Sequence, residues 1–346
     1  MYNKTGRIFE SRKVTDMATI KDIADEVGIS KAAVSRILNH KGSFSQETIR
    51  NVERVARRMN YTSMNMLRQE VEKEERRIRL AVVLPSSMVP YFGMLASMIE
   101  QAAYEYQYEV VLYSSMFAHK SETVFFQELK ERNISGILMA TFVSGEEVIL
   151  GQDIPVVTVG FQISEAIPSI RSDYYSGGCL AARHLIGKGC KKLLYVSRSM
   201  ESLNYDERYR GFLDEAKRKD CQVWAYHIEA NVDLQDVVGM ITGMSLEHSD
   251  ADGIFSESFR LGNRIYKTFS ELGYKIPEDI RIISYGNPFL SSYCNLDITM
   301  IMENTRQIVS RAVSVIADMI ESVESAEEKK LPDILVPVSL KTGGTT

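Results

Sequence analysis

At 346 residues, with 45% hydrophobic and 25% charged residues, the chain is too long for one small domain and too apolar to be disordered. A net charge of −5 excludes a uniformly basic nucleic-acid coat, and no apolar run approaches the roughly 18 residues of a membrane span. Four scattered cysteines (Cys179, Cys190, Cys221, Cys294) form no CxxC or Cys/His cluster, which argues against a disulfide or zinc framework and for reduced thiols. The charge is unevenly spread: residues 1–77 carry 16 Lys+Arg and 11 Asp+Glu, leaving a net −10 on the remainder. A basic head on an acidic body is an asymmetry that nucleic-acid binders show.

The opening "MYNKTGRIFESRKV" lacks the apolar core of a secretory signal, so a cytoplasmic location is expected. Beyond it, Ile20, Ile23, Ala24 and Val27 recur at helical spacing, one apolar stripe on a short first helix. Gly28 suits a left-handed turn position, and Ser30 can cap a second helix whose Val34, Ile37 and Leu38 face inward. After "HKGSF", Ser45 can cap a third helix, with Glu47 in its first turn and Ile49, Val52, Ala56 and Met59 on its buried face.

Two short helices around a three-residue Gly-containing turn, braced by a third, make the helix-turn-helix arrangement. The second helix of such a unit buries one stripe and presents the other to the major groove. Here that outer stripe is Lys31, Ala32, Ser35, Arg36 and Asn39. Lys31 and Arg36 can donate to guanine O6 and N7 or to phosphate, and Ala32 permits close approach to a thymine methyl. Ser30, Ser35, Thr19, Ser45 and Tyr61 suit phosphate contacts, which fix position rather than sequence. A helical bundle with a solvated basic face would show the same periodicity.

Residues 64–77 read as a charged linker within "TSMNMLRQEVEKEERR". From residue 78 the rhythm changes to short apolar runs, "IRLAVVL", "YEVVLYS", "ISGILMA", "IPVVTVG", "KKLLYVS", "ADGIFS" and "IRIISYG", alternating with helical stretches such as 92–107, 121–132, 176–188, 206–219 and 259–272. That alternation predicts parallel sheets wrapped by helices, too many units for one sheet, hence two α/β subdomains with a cleft between them. Ligands in such sheets bind beyond the carboxyl ends of the strands. No Gly-rich phosphate loop, HExxH, GxSxG or paired-carboxylate motif is present. The histidines (His40, His119, His184, His227, His248) are scattered, and His184 reads as structural. Neither an enzyme nor a metal or cofactor site is expected.

The segment "ATIKDIADEVGISKAAVSRILNHKGSFSQETIRNVERVARRMNY" closely resembles the DNA-binding head of the lactose-repressor (LacI/GalR) family. The resemblance extends, less tightly, to the C-terminus through "VPYFGMLASMIEQAA", "DYYSGGCLAARHLIGKGCKKLLYV", "RYRGFLDEA" and "ELGYKIPEDIRIISYGN". It implies a small all-α helix-turn-helix head (18–63) and a body of periplasmic-binding-protein architecture (78–340). The body would have one subdomain of 78–173 with 304–330 and another of 174–303 with 331–340, the chain crossing near 174, 303 and 330. Residues 1–17 are then an extension, with Met17 an alternative initiator.

In the family, positions matching Lys31, Ala32 and Arg36 carry base readout, and a hinge helix inserts a leucine wedge into the minor groove. Here the segment lacks the usual proline and places Glu70 at the wedge position, which leaves two readings: Leu67, one turn earlier, substitutes as the wedge, or the segment is only a charged linker. In the cleft, Tyr91 and Phe92 match the aromatic pair that packs on ligand, and Arg208 matches an arginine that donates to ligand hydroxyls or carboxylate. Sugar-binding relatives place acidic or amide residues where this chain has Phe259 after Ser258, Gly286 before Asn287, and Gly160 beside Phe161. The loss of acceptors suggests an aromatic, acidic or phosphorylated ligand, unless Asn287, Ser258 or Glu257 takes over the hydroxyls.

The resemblance implies a homodimeric repressor reading a pseudo-palindromic double-stranded operator, its affinity set by a small molecule, a sugar or related metabolite. Family tetramers use a C-terminal leucine heptad, and "KTGGTT" at this chain's end predicts a dimer. An activator, a regulator answering to a protein partner or to no ligand, and a solute-binding module are the alternatives.

Overall fold

The computed structural model describes residues 19–39, 41–59, 61, 77–87, 89–114, 122–141, 149, 151, 153–198, 206–228, 234–287, 289, 296–325 and 333–346. The extension before Thr19, Leu67 and Glu70 of the linker, His40, His119 and Cys294 lie outside them. The chain divides into two compact units, Met1–Arg77 and Ile78–Thr346. No helix among the described residues is long and apolar enough to cross a membrane.

The head consists of α1 (Ile20–Val27), α2 (Lys31–Leu38) and α3 (Gln46–Arg58). Each starts at a hydroxyl residue that takes an otherwise unsatisfied helix N–H. Thr19 Oγ1 accepts from Asp22 N while Asp22 accepts from Thr19 N, a closed capping box. Ser30 accepts from Ala33 N and Ser45 from Thr48 N. Gly28, at φ 75°, ends α1 in the left-handed region, and its N–H returns to Ala24 O. Ile23, Val34, Val52 and Ala56 are fully buried where the three helices meet. Val55 joins them, and Ile20, Val27, Ile49 and Met59 ring them half-buried.

The body carries twelve strands among its described residues, in two six-stranded sheets. They are β1 (Arg79–Leu84), β2 (Glu109–Ser114), β3 (Gly136–Met139), β4 (Val156–Val159), β5 (Ser169–Ser172), β6 (Lys192–Ser197), β7 (Gln222–His227), β8 (Gly253–Ser256), β9 (Arg281–Gly286), β10 (Thr299–Met302), β11 (Asp333–Val336) and β12 (Ser339–Lys341). The first sheet runs β11-β5-β4-β3-β1-β2, all parallel; the second runs β12-β10-β9-β8-β6-β7, with only β12 antiparallel. The helices are α4 (Pro90–Glu105), α5 (Glu122–Glu131), α6 (Tyr174–Gly187), α7 (Glu207–Arg218), α8 (Leu234–Glu247), α9 (Phe259–Glu271) and α10 (Thr305–Ser325). The central strands β1, β3, β4, β6, β8 and β9 are buried almost throughout, as parallel strands covered by helices on both faces must be.

The chain passes from the first sheet to the second between β5 and α6. It returns between β10 and α10, whose Ile308, Val309, Ala312, Val313 and Ile316 pack on the first sheet. The third passage corrects the expectation that residues 331–340 lie wholly in the second subdomain. β11 pairs with β5 in the first sheet and only β12 joins β10 in the second. The break falls at Pro337, which has no N–H to give to a ladder.

Helices α6 and α7 touch through their backbones. A Cβ on Gly178 would lie 2.0 Å from Arg208 O, and one on Gly211 would lie 2.0 Å from Tyr175 O. Cys179 Sγ donates to Gly211 O at 3.3 Å across the same contact. The two first turns are thereby registered, with Tyr174 the first residue of one and Arg208 the second of the other. Gly211→Ala should separate the helices and cost about 1–3 kcal/mol, the range for overpacking a tight contact, read as a lower urea midpoint of the intact chain.

Candidate functional site

In the head, Lys31, Ala32 and Arg36 are exposed on one side of α2, opposite buried Val34, Ile37 and Leu38. No acid lies in α2, and Arg36 pairs with no carboxylate among the described residues. The other predicted contacts divide by what their polar atoms already do. Ser30 uses its oxygen as a cap acceptor and keeps its O–H to donate. Thr19 spends its proton on Asp22 at 2.7 Å, and Ser45 is 2.7 Å from Thr48 Oγ1. Asn39 closes the end of α2, its Nδ2 donating to Ser35 O at 2.7 Å and Ser35 Oγ at 3.4 Å. Tyr61 is half-buried against the helical core, its N–H on Ala56 O. Arg58 pairs with Glu26 and ties α3 to α1.

In the body a cavity of about 370 Å³ opens beyond the carboxyl ends of the strands, and all seven predicted residues line it: Tyr91, Phe92, Phe161, Arg208, Ser258, Phe259 and Asn287. Tyr91 and Phe92 stand edge-to-face at 5.2 Å on the first lobe. Arg208 is anchored on the second. Its N and Nε each donate to Asp206 Oδ1 at 3.1 Å, its Nη1 donates to Glu257 O at 3.1 Å, and its guanidinium faces the rings of Tyr174 (5.1 Å) and Tyr285 (5.5 Å). The remaining Asp206 oxygen accepts from Tyr195 Oη, so its carboxylate is held on both sides.

Tyr174, Tyr285 and Glu303 line the cavity as well, and sequence reasoning missed all three as site residues. Glu303, 8% exposed, supplies a carboxylate to the cavity that the expected loss of acceptors did not foresee. Thr305 Oγ1 donates to Glu303 Oε1 at 2.7 Å and itself accepts from Asn287 Nδ2 at 2.5 Å, while Tyr91 donates from the other lobe. Asn287 Oδ1 takes Phe289 N at 2.8 Å, so Asn287 is spent on this network rather than open to a ligand. A signal for two of the three was available. Tyr174 and Glu303 sit where the chain crosses between subdomains, and a crossing necessarily borders the cleft.

The departures from the sugar-binding pattern have steric causes. A Cβ at Gly286 would lie 2.9 Å from Phe259 Cβ, so buried Phe259 requires glycine there. Gly160, at φ 89°, occupies backbone space that a side chain would strain, and its carbonyl accepts from Tyr174 Oη at 2.5 Å.

Burial is the largest influence on Glu303 and raises its carboxyl above the usual range, against the opposing pull of Thr305, Tyr91, Arg208 and Asn287. A raised value means the folded state holds this proton more tightly than the unfolded chain. The stabilisation is therefore complete below the ordinary carboxylate range and lost as pH rises through the elevated one. Glu303→Gln should raise the urea midpoint above that of the native chain at about pH 7.5, with the gap closing toward about pH 4.

A helix-turn-helix unit followed by a two-sheet body with a cavity at its strand ends is the plan of a ligand-responsive transcription regulator. Residues 19–63 match the model for bacterial regulatory proteins of the lacI family, and residues 182–346 match the periplasmic binding protein-like domain. The chain is 28% identical over 271 residues to the ribose operon repressor of Halalkalibacterium halodurans, covering 78% of this chain and 80% of that one. It is 26% identical over 329 residues to the sucrose operon repressor of Pediococcus pentosaceus, covering 94% and 98%.

Among solved structures, a periplasmic binding protein/LacI transcriptional regulator from Alkaliphilus metalliredigens, complexed with D-xylulofuranose, superposes with a TM-score of 0.66 at 25% identity, over 78% of this chain and 98% of that one. The lac repressor dimer bound to operator superposes with a TM-score of 0.74 at 19% identity, over 95% and 98%, and shares the fold. The chain belongs to the LacI/GalR family of bacterial transcriptional regulators.

Proposed function

We propose that this protein is a cytoplasmic, homodimeric, non-enzymatic repressor that reads an inverted-repeat operator with α2 and releases or grips it according to a small molecule in the body cavity. The observation that carries the reading is the outer side of α2, where Lys31, Ala32 and Arg36 are exposed beside no acid. Arg36 presents a guanidinium fork suited to guanine O6 and N7, Lys31 a single charge suited to base or phosphate, and Ala32 the clearance both need. Ser30, with its proton to give, is the phosphate contact the geometry supports best. Thr19, Ser35, Asn39, Ser45 and Tyr61 are already engaged in caps or packing, so their part is to fix α2 in place. Operator-bound and dimeric descriptions of the lac repressor support the same assembly for this chain.

For the cavity, we infer a hydroxylated metabolite of monosaccharide scale. Its volume falls at the low end of small-molecule sites, its walls are aromatic, and Arg208 and Glu303 offer one fixed donor and one fixed acceptor. Relatives described with D-xylulofuranose and with ribose support that class. Tyr91 belongs to the first lobe and Glu303 to the crossing strand of the second, so a ligand between them favours one lobe arrangement. A preference of a few kcal/mol suffices to switch operator affinity.

Arg36→Ala should cost about 1–3 kcal/mol of discrimination between an operator selected by the intact chain and random DNA. Fluorescence anisotropy at fixed salt measures it, and a wild-type ratio of the two affinities would refute the assignment of α2. Arg208→Lys should keep operator binding while weakening the response to any effector, because Lys cannot reproduce the forked contacts with Asp206 and Glu257.

A further inference from the structure

A second cavity, of about 460 Å³, adjoins the first and shares Ser258 and Arg260 with it. Helix α9 carries Arg260, Arg264 and Lys267 at i, i+4 and i+7, which places them in one stripe along it, and all three line this cavity. Arg198, just beyond the carboxyl end of β6, is a fourth cation on the same wall. No carboxylate is among the described residues that line it. Arg260, Arg264 and Lys267 form no ion pair with any described residue, whereas Arg79, Arg183, Lys192 and Arg208 of the same body all have carboxylate partners.

The arrangement opposes the chain's own electrostatics. Like charges one turn apart on a helix repel, and cations near a helix N-terminus face the positive end of its dipole. Arg260, the second residue of α9, and Lys267 are exposed, while Arg264 in the second turn is half-buried. The body as a whole is acidic, so a basic pocket here is a local exception. An anion in the cavity turns each of these repulsions into an attraction. Local conflict of this kind marks functional sites rather than scaffolds.

We infer that this pocket is a phosphate subsite continuous with the ligand cavity, so that the effector is a phosphorylated small molecule. Its hydroxylated part lies against Tyr91, Phe92 and Arg208, and its phosphate reaches past Ser258 and Arg260 to Arg264 and Lys267. A phosphate brings between one and two negative charges and three acceptor oxygens, which matches arginine forks better than a carboxylate does. The inference rests on the body cavity being the effector site, as proposed above, and the experiment separates the two.

The intact chain is titrated with inorganic phosphate against sodium chloride at equal ionic strength, following thermal unfolding, and then with neutral sugars each beside its monophosphate ester. Phosphate should raise the midpoint where chloride does not. The sugar that binds should bind about tenfold or more tightly as its ester, since charge-assisted hydrogen bonds exceed that factor. Both effects should vanish in Arg264→Gln/Lys267→Gln and persist in part in Arg208→Lys, which cripples the other half of the site. Lys267→Gln alone, at an exposed position, gives the same direction should the double variant fold poorly. A phosphate response no larger than chloride's, one that survives the double variant (an adventitious ion only), or a neutral sugar bound as tightly as its ester overturns the inference. Loss of every sugar response together with an intact, Arg264-dependent phosphate response overturns the cavity reading instead.

Discussion

One guanidinium has to remain charged at the floor of a cavity, and much of the body is arranged to let it. Taking a charge from water is costly unless fixed acceptors replace the solvent. Arg208 finds Asp206 on its own helix cap, the Glu257 carbonyl at the end of β8, and two tyrosine faces. Those partners come from α7, β8, α6 and β9, so Arg208 is placed only when the second sheet and its helices are assembled. The glycine contact between α6 and α7 sets the distance over which this can happen.

Glu303 completes the constraint from the other direction. It stands at the point where the chain returns to the first lobe, with Tyr91 reaching it from that lobe and Thr305 and Asn287 from its own side. This buried carboxylate therefore takes partners from both lobes, and its surroundings depend on how the lobes sit. Arg171 adds a similar bridge on the hinge side, pairing with Glu207 at the start of α7 and with Asp333 of β11. The pair with Glu207 joins the first lobe to the second, while the pair with Asp333 stays within the first sheet.

The head solves a smaller problem with smaller means. Three helices of 8, 8 and 13 residues cannot hold themselves by hydrogen bonding alone. Each is started by a hydroxyl cap and all share one apolar junction. Three of the residues expected to touch phosphate, Thr19, Ser30 and Ser45, are the helix caps, so their oxygens already serve nucleation. That economy leaves Lys31, Ala32 and Arg36 as the exposed positions of α2 with no structural duty of their own.

The head was legible in the sequence almost residue by residue, because its elements are local: a stripe at helical spacing, a glycine for the left-handed turn, a serine for each cap. The two-sheet body was legible from its apolar runs for the same reason. Strands with mixed composition were not. "SIRS" of β5 shows no apolar period, yet it is buried because Ser169 and Arg171 find Asp333 and Glu207, partners distant in the chain. "ILVPVSLK" reads as one unit, and only the pairing of its two halves with different sheets shows that Pro337 divides them. The cavity followed the same division. The family resemblance supplied Tyr91, Phe92 and Arg208, whereas Glu303 is marked only by the crossing between subdomains and by no motif of its own. Sequence determines what short segments do by themselves; which buried charge meets which, across a hundred residues of chain, is decided by packing, because burial alone makes the pairing obligatory.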